Sequence, residues 1–168
     1  MLAFSPIVQP AVRCVGLDLY VTTERWSLAI TNRHGQKIEI TVEAGTFFDG
    51  ASVPPIGYWV MQRMGLASAA ALVHDVIFET RGEPHHTYFI KIDGQGVSVP
   101  LTLRFTNELF EDVLTASNYP RWRGRPAAFL VRRFSPALWE RYPTIINRKM
   151  HGFGVVEAMT GAAARLNR

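Results

Sequence analysis

Apolar and polar positions alternate along three stretches near the start of the chain: VGLDLYVTT (15–23), RWSLAIT (25–31) and KIEITVEA (37–44). Such alternation, rich in β-branched and aromatic residues, predicts strands with one buried face. NRHGQ, between the second and third, supplies Asn and Gly for a tight turn and predicts a hairpin. From Gly45 to Pro55 the pattern is that of a loop. Neither Pro54 nor Pro55 has an N–H, and residues before proline avoid helical backbone angles, so a helix can begin only at about Pro55. PIGYWVMQRMG (55–65) predicts a short helix ended by Gly65. LASAAALVHDVIFET (66–80) predicts a second helix with the stripe Ala67, Ala70, Ala71, His74, Ile77 and Phe78. TYFIKIDGQGVSV (87–99) reads as a hairpin closed at Gly94–Gly96. LTLRFTNELFEDVLTAS (101–117) reads as a helix with the stripe Leu103, Asn107, Phe110 and Leu114. RPAAFLVRRFSPALWERY (125–142) is helical with a kink or break at Pro136.

These elements predict an α+β domain over residues 13–149, a small antiparallel sheet packed on a layer of helices. Residues 1–12 hold Phe4, Ile7 and Val12 between prolines, and residues 150–168 scatter apolar side chains among glycines and alanines. Neither segment has a place in one compact core. Both are expected to be extended arms, at least one of them lying on a neighbouring chain.

Each of two helical stripes carries one polar residue on its buried face: His74 on the helix over 66–80, Asn107 on the helix over 101–117. An unpartnered buried polar group costs about 1–3 kcal/mol. Direct contact between the two, or a shared water, removes that cost on both helices. Asp75 points about 100° away from His74 around the helix and is not expected to orient its imidazole.

Composition narrows the class. The chain has 168 residues, of which 48% are apolar and 19% charged. That balance suits a globular domain with a sizeable core. Cys14 is the only cysteine, which rules out an intrachain disulfide and suits a reducing compartment. The N-terminal stretch lacks a basic n-region and is interrupted by prolines, unlike a signal peptide. No uncharged stretch approaches the roughly 18 residues of a membrane span. The net charge of +4 conceals an uneven distribution: between Arg121 and Lys149 there are eight Lys/Arg and a single acid, Glu140, so the rest of the chain is net acidic.

Candidate chemistry gathers at FDGASVPP (48–55) and at the His74–Asp75 pair. Asp49 and Ser52 either cap the loop and the helix that follows or join His74 and Asp75 in one site. A histidine oriented by a polar residue from a second helix, here Asn107, is the minimal arrangement for a general base acting on water. The same pair would equally serve as a buried lock between helices. A divalent metal would draw on Asp49, His74 and Asp75, with His85 or His86, as N/O ligands, although no H-x-x-x-H or C-x-x-C spacing is present. Ser52 lacks the G-x-S-x-G context of a nucleophile elbow. Farther on, Arg121, Arg123 and Arg125 interleave with Trp122, a composition that suits an acidic protein partner more than nucleic acid.

FFDGASVPP, ALVHDVIFET, FTNELFEDVL and PRWRG, in that order, resemble the domain of unknown function 1353 family, whose pattern is a D-x-A-S-[VI]-P loop, an apolar helix carrying H-D and a later helix with an A-D-x-x-F-like motif. The resemblance covers about residues 37–135, matching Asp49, Ala51, Ser52 and Pro54 in the loop and His74 and Asp75 in the H-D. Asn107 stands where the family usually shows aspartate, with Phe110 at the matching place, and Pro55 stands where a basic residue is usual. The resemblance implies a protein of tailed bacteriophages or prophages. It supplies no agreed activity. From it follows the expectation of a virion component of the tail or head–tail region, made in the host cytoplasm and binding other virion subunits. The alternative is a small phage hydrolase with a His–Asp site, metal-assisted or not, acting on cell envelope or lipid. That alternative is similar to secreted phospholipase A2 in its helical His–Asp pair, without that fold's calcium loop or disulfides.

Overall fold

The computed structural model describes residues 7–16, 19–49 and 65–139. The expected helix over 55–65 and the expected C-terminal arm lie outside these residues, apart from Gly65. Over these residues the fold is α+β, built from two small antiparallel sheets and three helices. One sheet has the order β1 (Val12–Gly16), β2 (Leu19–Thr22), β5 (Phe47–Phe48). The other has the order β3 (Trp26–Thr31), β4 (Lys37–Val42), β6 (Tyr88–Ile92), β7 (Gln95–Gly96). The helices are α1 (Ser68–Glu79), α2 (Leu103–Ala116) and α3 (Arg121–Trp139).

The expected β3–β4 hairpin forms with Thr31 opposite Lys37. Asn32 closes its turn, its Oδ1 accepting from the backbone N–H groups of His34 and Gln36 at 3.0 and 2.9 Å. Alternation along both strands sends Trp26, Leu28 and Ile30, and Ile38, Ile40 and Val42, into the core. The 87–99 hairpin turns at Asp93–Gly94, both at positive φ, and its first strand pairs with β4. The sheet expected from the N-terminal third is therefore two sheets, the larger completed by residues distant in sequence. The stretch over 15–23 divides between β1 and β2, and β5 adds a two-residue strand in the expected loop.

The N-terminal segment departs from expectation. Residues 7–12 run along the domain: Val8 accepts from the Trp26 indole at 2.7 Å, and Gln9 Oε1 accepts from the Ala69 N–H at 2.9 Å, at the start of α1. Ala11 accepts from the Thr23 N–H at 3.0 Å. The carbonyls of Val8 and Ala11 and the side chain of Gln9 thus find their partners on the body of the same chain. Of the expected arm, only residues 1–6 fall outside the description.

Helix α1 is buried almost all round, as its alanines and aliphatics permit, since it lies beneath other layers. Helix α2 is amphipathic and starts at Thr102, whose hydroxyl accepts from the Phe105 N–H at 3.1 Å. Its polar face meets the β3–β4 turn through Arg33, which donates from Nε to Asp112 at 2.9 Å and from Nη2 to Glu111 at 3.0 Å. Helix α3 begins four residues earlier than expected, at Pro120–Arg121, and continues through both Pro126 and Pro136. Pro120 supplies a natural start, since its carbonyl accepts from Arg123 and Gly124. The interior prolines deprive the Trp122 and Arg132 carbonyls of their helical donors, a cost that an exposed face reduces by offering water.

Gly82 sets where the chain leaves α1. At φ +78° it donates to the Ile77 carbonyl at 2.8 Å and accepts from the Leu101 N–H at 2.9 Å, tying the end of α1 to the approach to α2. A Cβ at this position would collide with the Leu101 carbonyl oxygen, a backbone atom that no side-chain movement relieves. Gly82→Ala should therefore destabilise the domain by about 3 kcal/mol, combining the left-handed backbone cost with overpacking. Urea unfolding of the variant checks this; a loss under about 1 kcal/mol would mean that the α1–α2 connection yields freely.

Candidate functional site

Three helices bring three polar side chains into one line. His74 on α1 and Asn107 on α2 meet directly, with His74 Nε2 3.2 Å from Asn107 Oδ1. The Asn107 amide Nδ2 donates in turn to Ser135 Oγ on α3 at 2.8 Å. Asn107 and Ser135 are buried, and only 12% of the His74 side chain is exposed. The imidazole stacks on Phe78 at 4.6 Å between ring centroids and meets the edge of Phe110 at 5.4 Å. Trp139 closes against Phe78 at 4.7 Å. The polar chain thus runs between aromatic rings, as a satisfied buried network must.

Two proton arrangements complete this chain. In one, His74 Nε2–H donates to the Asn107 oxygen and the amide donates to Ser135. In the other, the amide is turned end for end, donates to Nε2 and accepts from the Ser135 hydroxyl. In both, a neutral imidazole commits Nε2 to Asn107.

The acids of the two motifs lie beside the same ring. Asp75 is buried, with Oδ1 3.6 Å from His74 Nδ1, beyond hydrogen-bond length but within range of a direct charge effect. The 100° offset between neighbours on a helix does not keep it away, because a carboxylate beside the ring can swing back toward Nδ1. Asp49, also buried, follows β5 directly. Thr22 and Thr46 pin its approach: Thr46 N–H donates to Thr22 Oγ1 at 2.9 Å, and Thr22 N–H donates to the Thr46 carbonyl at 3.0 Å. Phe48, with no exposed surface, anchors the strand, and its ring lies 5.7 Å from that of Tyr20. Asp49 is close enough for its charge to act on His74. Ser52 lies outside the described residues.

Burial dominates the electrostatics of the ring. It pushes the His74 pKa from the ordinary 6.5 down to about 4, against the Asn107 hydrogen bond and the Asp49 charge, which both favour the protonated form. His74 is thus neutral at physiological pH. That is a poor setting for a general base meant to take a proton near pH 7.

The remaining candidates stand apart. His85 and His86 form an exposed pair with ring centroids 4.0 Å apart, His85 Nδ1 lying 2.8 Å from Thr87 Oγ1. Among the described residues, no three His, Cys, Asp or Glu side chains are placed to hold a metal ion, so Asp49, His74, Asp75, His85 and His86 do not make the metal site their composition suggested. Arg121, Trp122, Arg123 and Arg125 fall on the first turns of α3, away from the buried chain, with the Arg123 guanidinium 4.6 Å over the Trp122 ring. No described helix is long and apolar enough to cross a membrane.

Sequence reasoning misses Ser135. It sits beside Pro136, where a break is expected, although the buried positions Gly124, Ala127, Ala128 and Ser135 are the small residues that line one face of α3. That small-residue stripe is the available signal.

An α+β domain whose three helices are joined by a buried His–Asn–Ser chain, with an acid at the end of a short strand set beside it, is the class that the geometry defines. The chain belongs to the family described as "Protein of unknown function (DUF1353)", whose family model matches residues 26–130. No curated protein and no solved structure matches the chain.

The burial of His74 fixes the sign of a pH effect. A histidine whose folded pKa is depressed contributes stability that is fully present above its unfolded pKa of about 6.5 and is lost as pH falls toward the folded pKa of about 4. At about 1.4 kcal/mol per pH unit the loss over that window is about 3 kcal/mol. His74→Ala should cost about 2–4 kcal/mol at pH 7, from an orphaned Asn107 and a cavity among aromatic rings. That cost should shrink by most of its value by pH 4, where the native protein has already lost the contribution. Unfolding free energies of both proteins across this range test it; a cost independent of pH would place His74 in contact with water.

Proposed function

We propose that this chain is a bacteriophage structural or assembly protein, a virion component of the tail or head–tail region that acts through protein–protein contacts after synthesis in the host cytoplasm. The observation that carries this reading is the enclosure of His74: its Nε2 is committed to Asn107, its faces are covered by Phe78 and Phe110, and burial keeps it neutral. The H-D motif then serves as the joint of the helical layer, with Asp49 of the D-G-A-S motif as the acid laid beside it. Chemistry at the surface is left to other residues. Arg121, Trp122 and Arg125, exposed at the helix start, with the half-buried Arg123 between them and no acid among the four, are the side chains offered to a neighbour. The hydrolase reading has in its favour the two acids beside His74, and it requires that ring to take up a proton from a substrate water near neutral pH, which its burial opposes.

Mass spectrometry of purified particles tests the proposal. The chain is expected in copy numbers comparable with those of other minor structural proteins, retained through gradient purification. Its absence from particles, with the protein free in the lysate, would overturn the assembly reading.

A further inference from the structure

Helix α3 carries five arginines and no acid over residues 121–139, and its two faces are sharply divided. Gly124, Ala127, Ala128 and Ser135 are buried on one side. On the other, Trp122 and Phe129 are 66% and 62% exposed. Large apolar side chains clustered so openly mark a contact surface. Trp122, Phe129 and Pro136 recur every seven residues. That spacing drifts only about 20° per repeat around a helix. Arg125 and Arg132 fall three residues after each aromatic, on the same flank. The ridge so formed runs for about 21 Å from Trp122 to Pro136.

We infer that this ridge of α3 docks into an apolar groove with an acidic rim on a different protein chain. Apolar anchors two turns apart on one helical stripe are the pattern by which a helix enters a protein groove, and the interposed Arg125 guanidinium calls for a carboxylate at its edge, Arg132 being paired already with Glu111 of α2. Base stacking on nucleic acid would call for aromatic rings spaced like successive bases, not about 10 Å apart with a proline as the third member. The stretches of this chain outside the described residues are a poor source of those acids. Residues 1–6 hold no charge, residues 17–18 hold only Asp18, and residues 50–64 hold only Arg63. Residues 140–168 set Glu140 and Glu157 against Arg141, Arg148, Lys149, Arg165 and Arg168. On a second copy the acidic cluster of α2 is not on offer, since Glu108, Glu111 and Asp112 are already engaged by Arg104, His34, Arg33 and Arg132 at 2.8–3.3 Å. The inference rests on the assembly reading and gives it a partner chemistry and a contact face.

Site-specific photocrosslinking in cells that are making particles provides the test. A benzophenone amino acid replaces Phe129 in one full-length protein and Ala29, exposed on the outer face of the larger sheet, in a control. The expected result is a crosslink from position 129, and none from position 29, mapped by mass spectrometry to a segment of another protein with an excess of Asp and Glu. Arg125→Glu in the same background should lower its yield about tenfold or more, with an unchanged melting temperature because Arg125 is exposed. A crosslink from position 129 to this chain's own residues, to a second copy, to nucleic acid or to a neutral or basic segment would overturn the inference, as would one no stronger than the control. The two proposals fail separately. Presence in particles without the position-129 crosslink removes the docking face alone, whereas an acidic crosslinked partner outside particles removes the virion assignment alone.

Discussion

The described domain depends on one buried hydrogen-bonded line, His74 to Asn107 to Ser135, which crosses three helices that share few other polar contacts among the described residues. Each member comes from a different helix, and each would be an unsatisfied buried group without the next. Apolar packing alone would let α1, α2 and α3 slide or rotate against one another, because alanines and leucines fit several registers. A polar chain in which every member must be satisfied, whichever way its protons run, admits only one. Its place between Phe78 and Phe110 removes competing water, which strengthens the bonds while they are made and raises the cost of losing any of them.

The same line organises what lies around it. By holding the small-residue face of α3 against the body, it obliges the opposite face to point outward, carrying Trp122 and Phe129 with it. By drawing α1 into the centre it creates the surface on which β5 lies, so Asp49 and the H-D motif come together around one ring. Arg33 adds a surface clasp between the β3–β4 turn and α2, and Gln9 ties the N-terminal segment to the start of α1. These are local attachments to a layer whose register is already set.

Much of this is legible in the chain. His74 and Asn107 are expected to meet because each interrupts an apolar stripe, and a stripe tolerates an intruder only if it has a partner. The NRHGQ hairpin is local, written in its turn residues, and so is the start of α2 just after Thr102. What the sequence does not show is non-local. The pairing of β6 with β4 joins residues about fifty positions apart, and nothing in either strand names its neighbour. The division into two sheets follows from the same pairing. Ser135 is hidden by Pro136, since a proline in a helical pattern normally ends it, yet here an exposed carbonyl makes continuation tolerable. The N-terminal segment reads as an arm because apolar periodicity says nothing of a stretch held by its carbonyls and a glutamine side chain.

Whether His74 is sealed decides between lock and base. A pH titration of the imidazole by NMR, in the intact protein with labelled histidine, reads this directly. A sealed His74 stays neutral through pH 6.5 and 5 and begins to protonate only near its depressed pKa of about 4. A midpoint at or above the ordinary 6.5 would contradict that, and would turn the buried lock into a solvent-reachable base beside two acids.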